Sequence, residues 1–341
     1  MNNRVNIARA LRSVGYRTLM TGKNDGLPFL RDFDRYYGLD DGCCNYFNPG
    51  LRRPGENEPG RKYPSEQRRW VMDGKIIQPY TPEDKSFYTT DAFTDCAVQY
   101  LEQYGKEDKP FFLYLPYTAP HFPLHAWPED IARYRGRYRI GWDAIRQQRY
   151  ERLVRLGLID ARWDLSPRDA AVPAWDQVED KDGWDLTMAV YAAMIDRMDQ
   201  GIGRIMAKVR ELGVEDNTLV LFLSDHGEPL GEHGIIKKVQ PWPYDELSRI
   251  PLIIRLPDNM KEKKRIDAFV GMPDIAPTIL SFLDVKVPPV MQGRNLLPLI
   301  RGEEESMEFG ISGFHRRSWS IRNHEWSFYL WLGTQVTSGA K

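Results

Sequence analysis

Apolar side chains along the chain fall into two patterns, helical spacing and short unbroken runs. The longest helical pattern covers about residues 185–212, where apolar residues recur at three- and four-residue steps until Gly213 ends it. The clearest unbroken runs, 111–115 and 218–223, are typical of strands buried on both faces of a parallel sheet. Shorter patterns predict helices over 4–14, 90–104 and 275–283 and strands over 16–20 and 251–255.

Strands that alternate with helices predict an α/β fold with a mainly parallel sheet. The segment 38–85 is rich in Gly, Pro, Asn and charge, which predicts long loops with a hairpin near residues 70–80. The last forty residues alternate like antiparallel strands. Ligands bind outside the carboxyl ends of strands in open α/β sheets, and His121, Asp225 and His226 all follow predicted strands.

Composition excludes several classes of function. The 341 residues carry 47 basic and 48 acidic side chains, a net charge of -1, so no basic excess points to nucleic acid. Three cysteines form neither a disulfide framework nor a zinc pattern. No apolar run approaches the roughly 20 residues of a membrane span, and the N-terminus has no apolar signal-peptide region.

The sharpest chemical feature is SDHGEPLGEHGIIKK at residues 224–238. Asp225 offers a hard oxygen ligand for a divalent cation such as calcium or magnesium. His226 could complete that shell or hold an anion, and Lys238 could neutralise a sulfate or phosphate oxygen. The plain alternative for the bare Asp-His-Gly pattern is a polar turn after a core strand.

The longer pattern resembles the metal- and sulfate-binding signature of type I sulfatases in the alkaline phosphatase superfamily. Residues 110–138 resemble the arylsulfatase stretch with a sulfate-contacting histidine, and 190–228 resemble the helix and strand that deliver metal ligands. The family segment that supplies a sulfate-binding lysine resembles GYRTLMTGK followed by FDRYYG in this sequence. The resemblance implies an alkaline-phosphatase-like sandwich over residues 1–300 and the start of a small C-terminal α+β subdomain over 301–341.

Carried over residue by residue, the resemblance implies that Lys23, His121 and Lys238 are catalytic and contact the substrate's sulfate. It implies that Asp225 and His226 bind a divalent metal, calcium in this family, and that the partner is a small-molecule or glycan sulfate ester. Without the resemblance, each of these residues is interpreted as an ordinary polar residue of the surface or of a loop. His125 and His233 are interpreted as such.

The family's nucleophile motif is absent from this sequence. Sulfatases of this type carry Cys-x-Pro-Ser-Arg, or its Ser equivalent, and the Cys matures to formylglycine; Cys43, Cys44 and Cys96 do not match it. The metal-binding Asp-Asp pair of the family precedes the lysine, so Asp40-Asp41, which follows Lys23, is interpreted as a decoy. We expect an N-terminally truncated chain, inactive alone.

Two alternatives remain at this point. A phosphodiesterase or phosphonate monoester hydrolase of the same superfamily shares the Asp-His-Gly and Lys pattern. A non-catalytic pseudo-sulfatase that binds sulfated ligands is favoured by the missing nucleophile and by Asn24-Asp25, where many relatives have Trp-His. The compartment is left open, because intact relatives are often exported whereas this sequence shows no export signal.

Overall fold

The structure is a computed structural model that describes residues 5–24, 27–51, 61–63, 66–170, 172–230, 232, 244–257, 264–304, 307–314 and 318–331. The chain divides into two compact units. Unit 1 comprises residues 1–165 and 174–215, and unit 2 comprises 166–173 and 216–341. The predicted division at residue 300 stays a prediction.

Unit 1 is built on a five-stranded sheet in the order β6-β5-β2-β1-β7. Strand β1 runs parallel to both β2 and β7, whereas β5 and β6 extend the sheet antiparallel as a hairpin. The strands of the unit are β1 (Arg17–Asn24), β2 (Arg35–Asp40), β3 (Arg61–Tyr63), β4 (Glu66–Gln67), β5 (Trp70–Met72), β6 (Lys75–Ile77) and β7 (Phe111–Tyr114).

Helices cover both faces of this sheet because neighbouring side chains on β1 point to opposite sides. Met20 packs with Ala8 of the first helix and with Phe33, while Leu19 packs with Cys96 and other residues of the third helix. The helices of unit 1 are α1 (Ile7–Ser13), α2 (Leu27–Leu30), α3 (Thr89–Tyr104), α4 (Pro128–Ala132), α5 (Gly141–Arg155) and α6 (Lys181–Glu211).

The longest helix, α6, confirms the pattern predicted for residues 185–212. It begins earlier than predicted because the Asp180 side chain accepts a hydrogen bond from the Gly183 N–H and so caps its N-terminus. The helix is fixed to α3 by the Arg197 guanidinium, which donates two 2.8 Å hydrogen bonds to the Asp91 carboxylate.

Unit 2 contains two small antiparallel sheets among its described residues. One pairs β8 (Val220–Leu223) with β9 (Leu252–Arg255), and the other has the order β10-β11-β12. The remaining elements are α7 (Asp245–Ser248), α8 (Ile275–Phe282), α9 (Leu297–Arg301), β10 (Gly310–Phe314), β11 (Ser318–Arg322) and β12 (Ser327–Trp331). The antiparallel pattern predicted for the last forty residues is confirmed.

The predicted α/β class is confirmed, with a mixed central sheet. Strand β1 is longer than predicted. Strand β2 was not predicted, and its last three residues lie in the segment 38–85 that was predicted to be loop. The two runs predicted to be fully buried are only half-buried, since Tyr114 and Phe222 are 43% and 38% exposed. Among the described residues, β7 has a partner only on its β1 side and β8 only on its β9 side, so neither strand is enclosed. No helix in the described residues is long and apolar enough to cross a membrane.

Candidate active site

Lys23 lies at the carboxyl end of β1, beside the chain that leaves β7. Its backbone N–H donates a 2.8 Å hydrogen bond to the Pro116 carbonyl oxygen. Two glycines precede this point: Gly22 and Gly38 are partners across β1 and β2, with φ of +139° and +150°. A Cβ on Gly38 would lie 1.9 Å from the Gly22 carbonyl oxygen, so the close approach of these strand ends requires glycine.

Behind Lys23, the carboxyl ends of β1 and β2 are joined by a polar contact. The Asn24 Nδ2 donates a 3.2 Å hydrogen bond to Asp40 Oδ1, and Asp40 Oδ2 lies 3.1 Å from the Arg69 Nε. The side chain of Asp40 is fully buried, and its charge is compensated by the guanidinium. Asn24, which replaces Trp in the family pattern, is thereby directed toward β2.

The next acid is buried too. Asp41 Oδ2 accepts a 2.7 Å hydrogen bond from Arg68 Nη1, and both side chains are only 3% exposed. Each carboxylate of Asp40-Asp41 is thus ion-paired with an arginine, and the interpretation that this pair does not bind the metal stays a prediction.

His121 is held by its backbone. Its N–H donates to the Thr118 carbonyl oxygen at 2.9 Å, and its carbonyl oxygen accepts a 2.9 Å hydrogen bond from the Tyr46 hydroxyl. The half-buried imidazole has Nδ1 2.6 Å from the Phe122 carbonyl oxygen. If Nδ1 donates to that carbonyl, Nε2 is left as the nitrogen that can accept or carry a proton.

An aromatic cluster supports the His121 segment from the interior. Buried Tyr46 stacks on Tyr88 with ring centroids 5.7 Å apart, and the Tyr88 hydroxyl donates to the His125 carbonyl oxygen at 2.7 Å. The His125 ring stacks on Phe47, and burial lowers the pKa of His125. His125 therefore packs against aromatic rings, which its interpretation as an ordinary polar surface or loop residue did not specify.

In unit 2, Asp225 and His226 follow the end of β8. Asp225 Oδ1 accepts the His226 N–H at 2.9 Å, and His226 Nε2 lies 3.5 Å from Asp225 Oδ2. The two side chains are 70% and 35% exposed. The following residue, Gly227, packs against α7, where a Cβ would lie 1.8 Å from the Glu246 carbonyl oxygen. This contact fixes the turn that presents the Asp-His pair.

The Asp-His pair alone does not make a complete calcium site. Calcium takes about six to eight oxygen ligands, whereas this pair offers one carboxylate and one nitrogen donor. In the described residues no group of three or more His, Cys, Asp or Glu side chains is placed to hold a metal ion.

Two of the three cysteines, Cys44 and Cys96, are unsuited to act as thiolates. Cys43, Cys44 and Cys96 are buried and lie outside any disulfide. Burial raises the pKa of Cys44 to about 12 and that of Cys96 to about 11. Because the thiolate is the nucleophilic form, neither of these two thiols is activated near neutral pH.

The structure brings two of the five predicted site residues onto neighbouring segments. Lys23 and His121 both lie in unit 1, on chain segments joined by the hydrogen bond to Pro116. Asp225 and His226 lie in unit 2, and Lys238 lies outside the described residues. The predicted convergence of all five on one anion stays a prediction.

Sequence reasoning missed the residues that support Lys23 and His121. The buried ion pairs could have been predicted, because the sequence contains an acidic doublet, Asp40-Asp41, and a basic doublet, Arg68-Arg69. Tyr46 gave no comparable signal, because its hydroxyl reaches His121 across 75 residues of sequence.

Solved structures share this fold. The crystal structure of Ps i-CgsB in complex with k-i-k-neocarrahexaose matches with a TM-score of 0.63 at 23% identity, over 94% of this chain and 64% of that one. A phosphonate monoester hydrolase from Silicibacter pomeroyi matches with a TM-score of 0.58 at 20% identity, over 97% and 72%. At these identities the likeness establishes the alkaline-phosphatase-like fold alone.

Sequence comparison establishes the family. The Sulfatase family model matches residues 1–285. An uncharacterised sulfatase of Schizosaccharomyces pombe is 32% identical over 352 residues, covering 87% of this chain, and an arylsulfatase of Klebsiella aerogenes is 32% identical over 229 residues, covering 65%. The chain spans 62% and 47% of the lengths of these two relatives. Membership of this family suggests, for the family in general, dependence on a metal and on formylglycine. This chain belongs to the sulfatase family of the alkaline phosphatase superfamily.

Proposed function

We propose that this chain belongs to a sulfuric ester hydrolase that acts on an aryl or sugar sulfate. The observation that carries the proposal is the hydrogen bond between the Lys23 N–H and the Pro116 carbonyl oxygen. It joins the strand end that bears a cation to the segment that runs on to His121. Both lie at the carboxyl ends of parallel strands, where α/β proteins bind ligands.

Each proposed residue has a defined chemical task. Lys23 and Lys238 supply positive charge to the oxygens of the sulfuryl group. His121 supplies them with a hydrogen-bond donor when its Nε2 carries a proton. Donors and cations fixed in advance at developing negative charge are commonly the largest catalytic contribution. Asp225 and His226 are the proposed protein ligands of a divalent metal, calcium by the family's pattern, which would act as a Lewis acid when bound.

The proposed substrate class has support from the relatives. The Klebsiella aerogenes protein is named an arylsulfatase, and a relative from Bacteroides thetaiotaomicron, 29% identical over 341 residues, is named an N-acetylglucosamine-6-O-sulfatase. These names support sulfate esters of phenols and of sugars as the two classes to test.

The chain by itself is expected to bind a sulfate ester without turning it over. The sequence has no Cys-x-Pro-Ser-Arg motif and no Ser equivalent, and its cysteines are buried. The basic groups can still attract the sulfate, because charge neutralisation does not require the nucleophile.

Binding of 4-nitrocatechol sulfate, measured by isothermal titration calorimetry, tests the proposal. Lys23→Ala and His121→Ala should each weaken binding at least about tenfold, which corresponds to about 1.4 kcal/mol. Lys75→Ala removes an exposed lysine of β6 and is the matched control. Equal affinity in wild type and both site variants, or no measurable binding by the wild type, would refute the proposed site.

A phosphonate monoester hydrolase is the second candidate, supported by the likeness in fold to the Silicibacter pomeroyi enzyme. The same titration with phenyl phenylphosphonate, a phosphonate monoester, separates the two. Tighter binding of the phosphonate than of the sulfate ester, with the loss in Lys23→Ala confined to the phosphonate, would favour this candidate over a sulfatase.

A further inference from the structure

The stretch of residues 133–155 is the most basic part of the chain and has no place in the proposed active site. It contains eight arginines and two acids, which gives a local net charge of +6 in a chain whose total is -1. The arginines are Arg133, Arg135, Arg137, Arg139, Arg146, Arg149, Arg152 and Arg155. All of them lie in unit 1.

The first half of this stretch is a turn whose backbone is held by a buried acid. Asp185 of α6 is fully buried and accepts hydrogen bonds from the N–H groups of Gly136 at 2.8 Å and Tyr138 at 2.9 Å. Gly136 has φ of +83°, which suits glycine at this point of the turn. The fold therefore fixes the turn from the inside.

The side chains of the turn alternate in exposure. Tyr134 is half-buried and its hydroxyl donates to Asp196 at 3.0 Å, while Arg137 lies 4.9 Å from the centre of the Tyr134 ring. Arg135, Arg137 and Arg139 are exposed. A row of guanidinium groups thus projects from a backbone that cannot easily rearrange, which lowers the entropy cost of binding a ligand.

Helix α5 continues the basic surface from this turn. A Cβ on Gly141 would lie 2.1 Å from the Trp175 ring, and the Trp175 indole N–H donates to the Arg139 carbonyl oxygen at 3.0 Å, so the junction of turn and helix is closely packed. Arg149, Arg152 and Arg155 are exposed and three residues apart, so they follow one side of the helix at intervals of roughly 4.5 Å along its axis.

Part of the positive charge is neutralised within the protein. Arg133 pairs with Asp130 and Asp196, Arg135 pairs with Asp185, and Arg139 pairs with Asp182. Within the described residues, no carboxylate forms an ion pair with Arg137, Arg152 or Arg155, so these three are the cations best placed to meet an external anion.

We propose that the turn at residues 133–140 and the exposed side of α5 form a surface that binds a sulfated polysaccharide. Planar guanidinium groups match sulfate oxygens with paired hydrogen bonds, and several of them in a row fit a chain of repeated anions. The inference rests on the proposed function for the choice of sulfate over phosphate. A nucleic acid is disfavoured because the chain as a whole has a pI near 6.6.

The experiment measures binding of fluorescein-labelled heparin by the full chain, using fluorescence anisotropy at about 0.1 M salt. The variant Arg137→Gln, Arg152→Gln, Arg155→Gln should bind at least about tenfold more weakly and should show a shallower salt dependence, because fewer counterions are displaced. The control variant Lys75→Gln, Lys85→Gln, Lys109→Gln removes the same charge from exposed sites elsewhere in unit 1 and should change affinity less than about twofold. Circular dichroism checks that both variants are folded.

Three outcomes would overturn the proposal: no loss in the arginine variant, equal losses in both variants, or duplex DNA that competes as well as heparin. Titration of 4-nitrocatechol sulfate keeps this proposal separate from the active site. The arginine variant should bind that small ester with the same affinity as the wild type. The His121→Ala variant should lose binding of the ester and retain binding of heparin. A wild type that binds heparin through the arginines but no small sulfate ester would retain this surface and refute the proposed function.

Discussion

At the scale of single residues, the buried pair Asp41–Arg68 gives the largest expected effect on stability. Asp41→Asn leaves the Arg68 charge buried without its partner, so the free energy of unfolding should fall by about 3–5 kcal/mol. Replacing both residues with apolar ones, Asp41→Leu and Arg68→Met, should restore most of that loss. Urea denaturation followed by circular dichroism measures both, and a double variant no more stable than Asp41→Asn would contradict the explanation.

Tyr46 supports a proposed site residue through one hydrogen bond. Tyr46→Phe keeps the ring and its packing on Tyr88 but removes the hydroxyl that donates to the His121 carbonyl oxygen. Unfolding free energy should fall by about 0.5–1.5 kcal/mol, and 4-nitrocatechol sulfate should bind severalfold more weakly. Tyr88→Phe, which removes a hydroxyl bonded to His125 instead, is the matched control. If Tyr46→Phe and Tyr88→Phe lose the same affinity, the hydroxyl of Tyr46 has no specific role in positioning His121.

His125 predicts a pH dependence of stability. Burial lowers its pKa in the folded chain, so below the ordinary value near 6.5 the unfolded chain takes up the proton more readily than the folded one. Its contribution is fully present above about pH 6.5 and is lost as pH falls toward the lower folded value. The midpoint of urea unfolding, measured from pH 7.5 to pH 5, should fall less steeply in His125→Gln than in wild type. Identical slopes would contradict the assignment.

At the scale of elements, the strand ends near Lys23 depend on glycine. In Gly38→Ala the new Cβ would meet the Gly22 carbonyl oxygen at 1.9 Å, and the φ of +150° is itself unfavourable for alanine. Because both strands must shift, we expect a loss of at least about 2 kcal/mol, measured by thermal unfolding. Gly74→Ala, at a β-turn glycine of positive φ with no atom within 4 Å of the added Cβ, controls for backbone strain without the clash. A Gly38→Ala loss no larger than that of Gly74→Ala would contradict this account.

The elements also show where sequence reasoning succeeds and where it fails. Helix α6 and strand β9 were predicted because local periodicity and flanking glycine or proline encode them. Strand β2 was missed because its pattern is mixed and its strand conformation depends on pairing with β1, which lies earlier in the chain. The half-exposure of β7 and β8 was missed for the same reason, since an apolar run does not reveal how many neighbours a strand has.

For the site, the sequence identified residues that resemble a family motif but not the contacts that hold them. Lys23 and His121 were found by resemblance, and the structure supplies Pro116 and Tyr46 as the groups that position their segments. Such contacts join positions far apart in the chain, and a single sequence carries no record of them. The acidic and basic doublets around Asp40 and Arg68 are the exception, since matched opposite charges are visible in the sequence.

At the scale of the whole molecule, the sheet β10-β11-β12 presents an apolar face to solvent. Ile311, Ile321 and Phe328 are direct cross-strand neighbours and are 62%, 41% and 60% exposed. Trp319 and Leu330 form the next row of the same face and are 41% and 44% exposed. Contiguous apolar faces of this kind mark surfaces that associate with other surfaces.

This face predicts that the chain self-associates in solution. The net charge of -1 provides little electrostatic repulsion between copies, so burial of the apolar face is opposed mainly by the entropy of association. Sedimentation velocity at increasing concentration should show oligomers for the wild type, and Ile321→Lys with Phe328→Lys should shift the distribution to monomer. Lys75→Glu with Lys85→Glu changes charge on exposed sites of unit 1 and should leave the oligomers in place. Association through apolar surface weakens on cooling, whereas association through ion pairs weakens as salt is added. Oligomers that dissociate in salt but not on cooling would therefore assign the association to another surface.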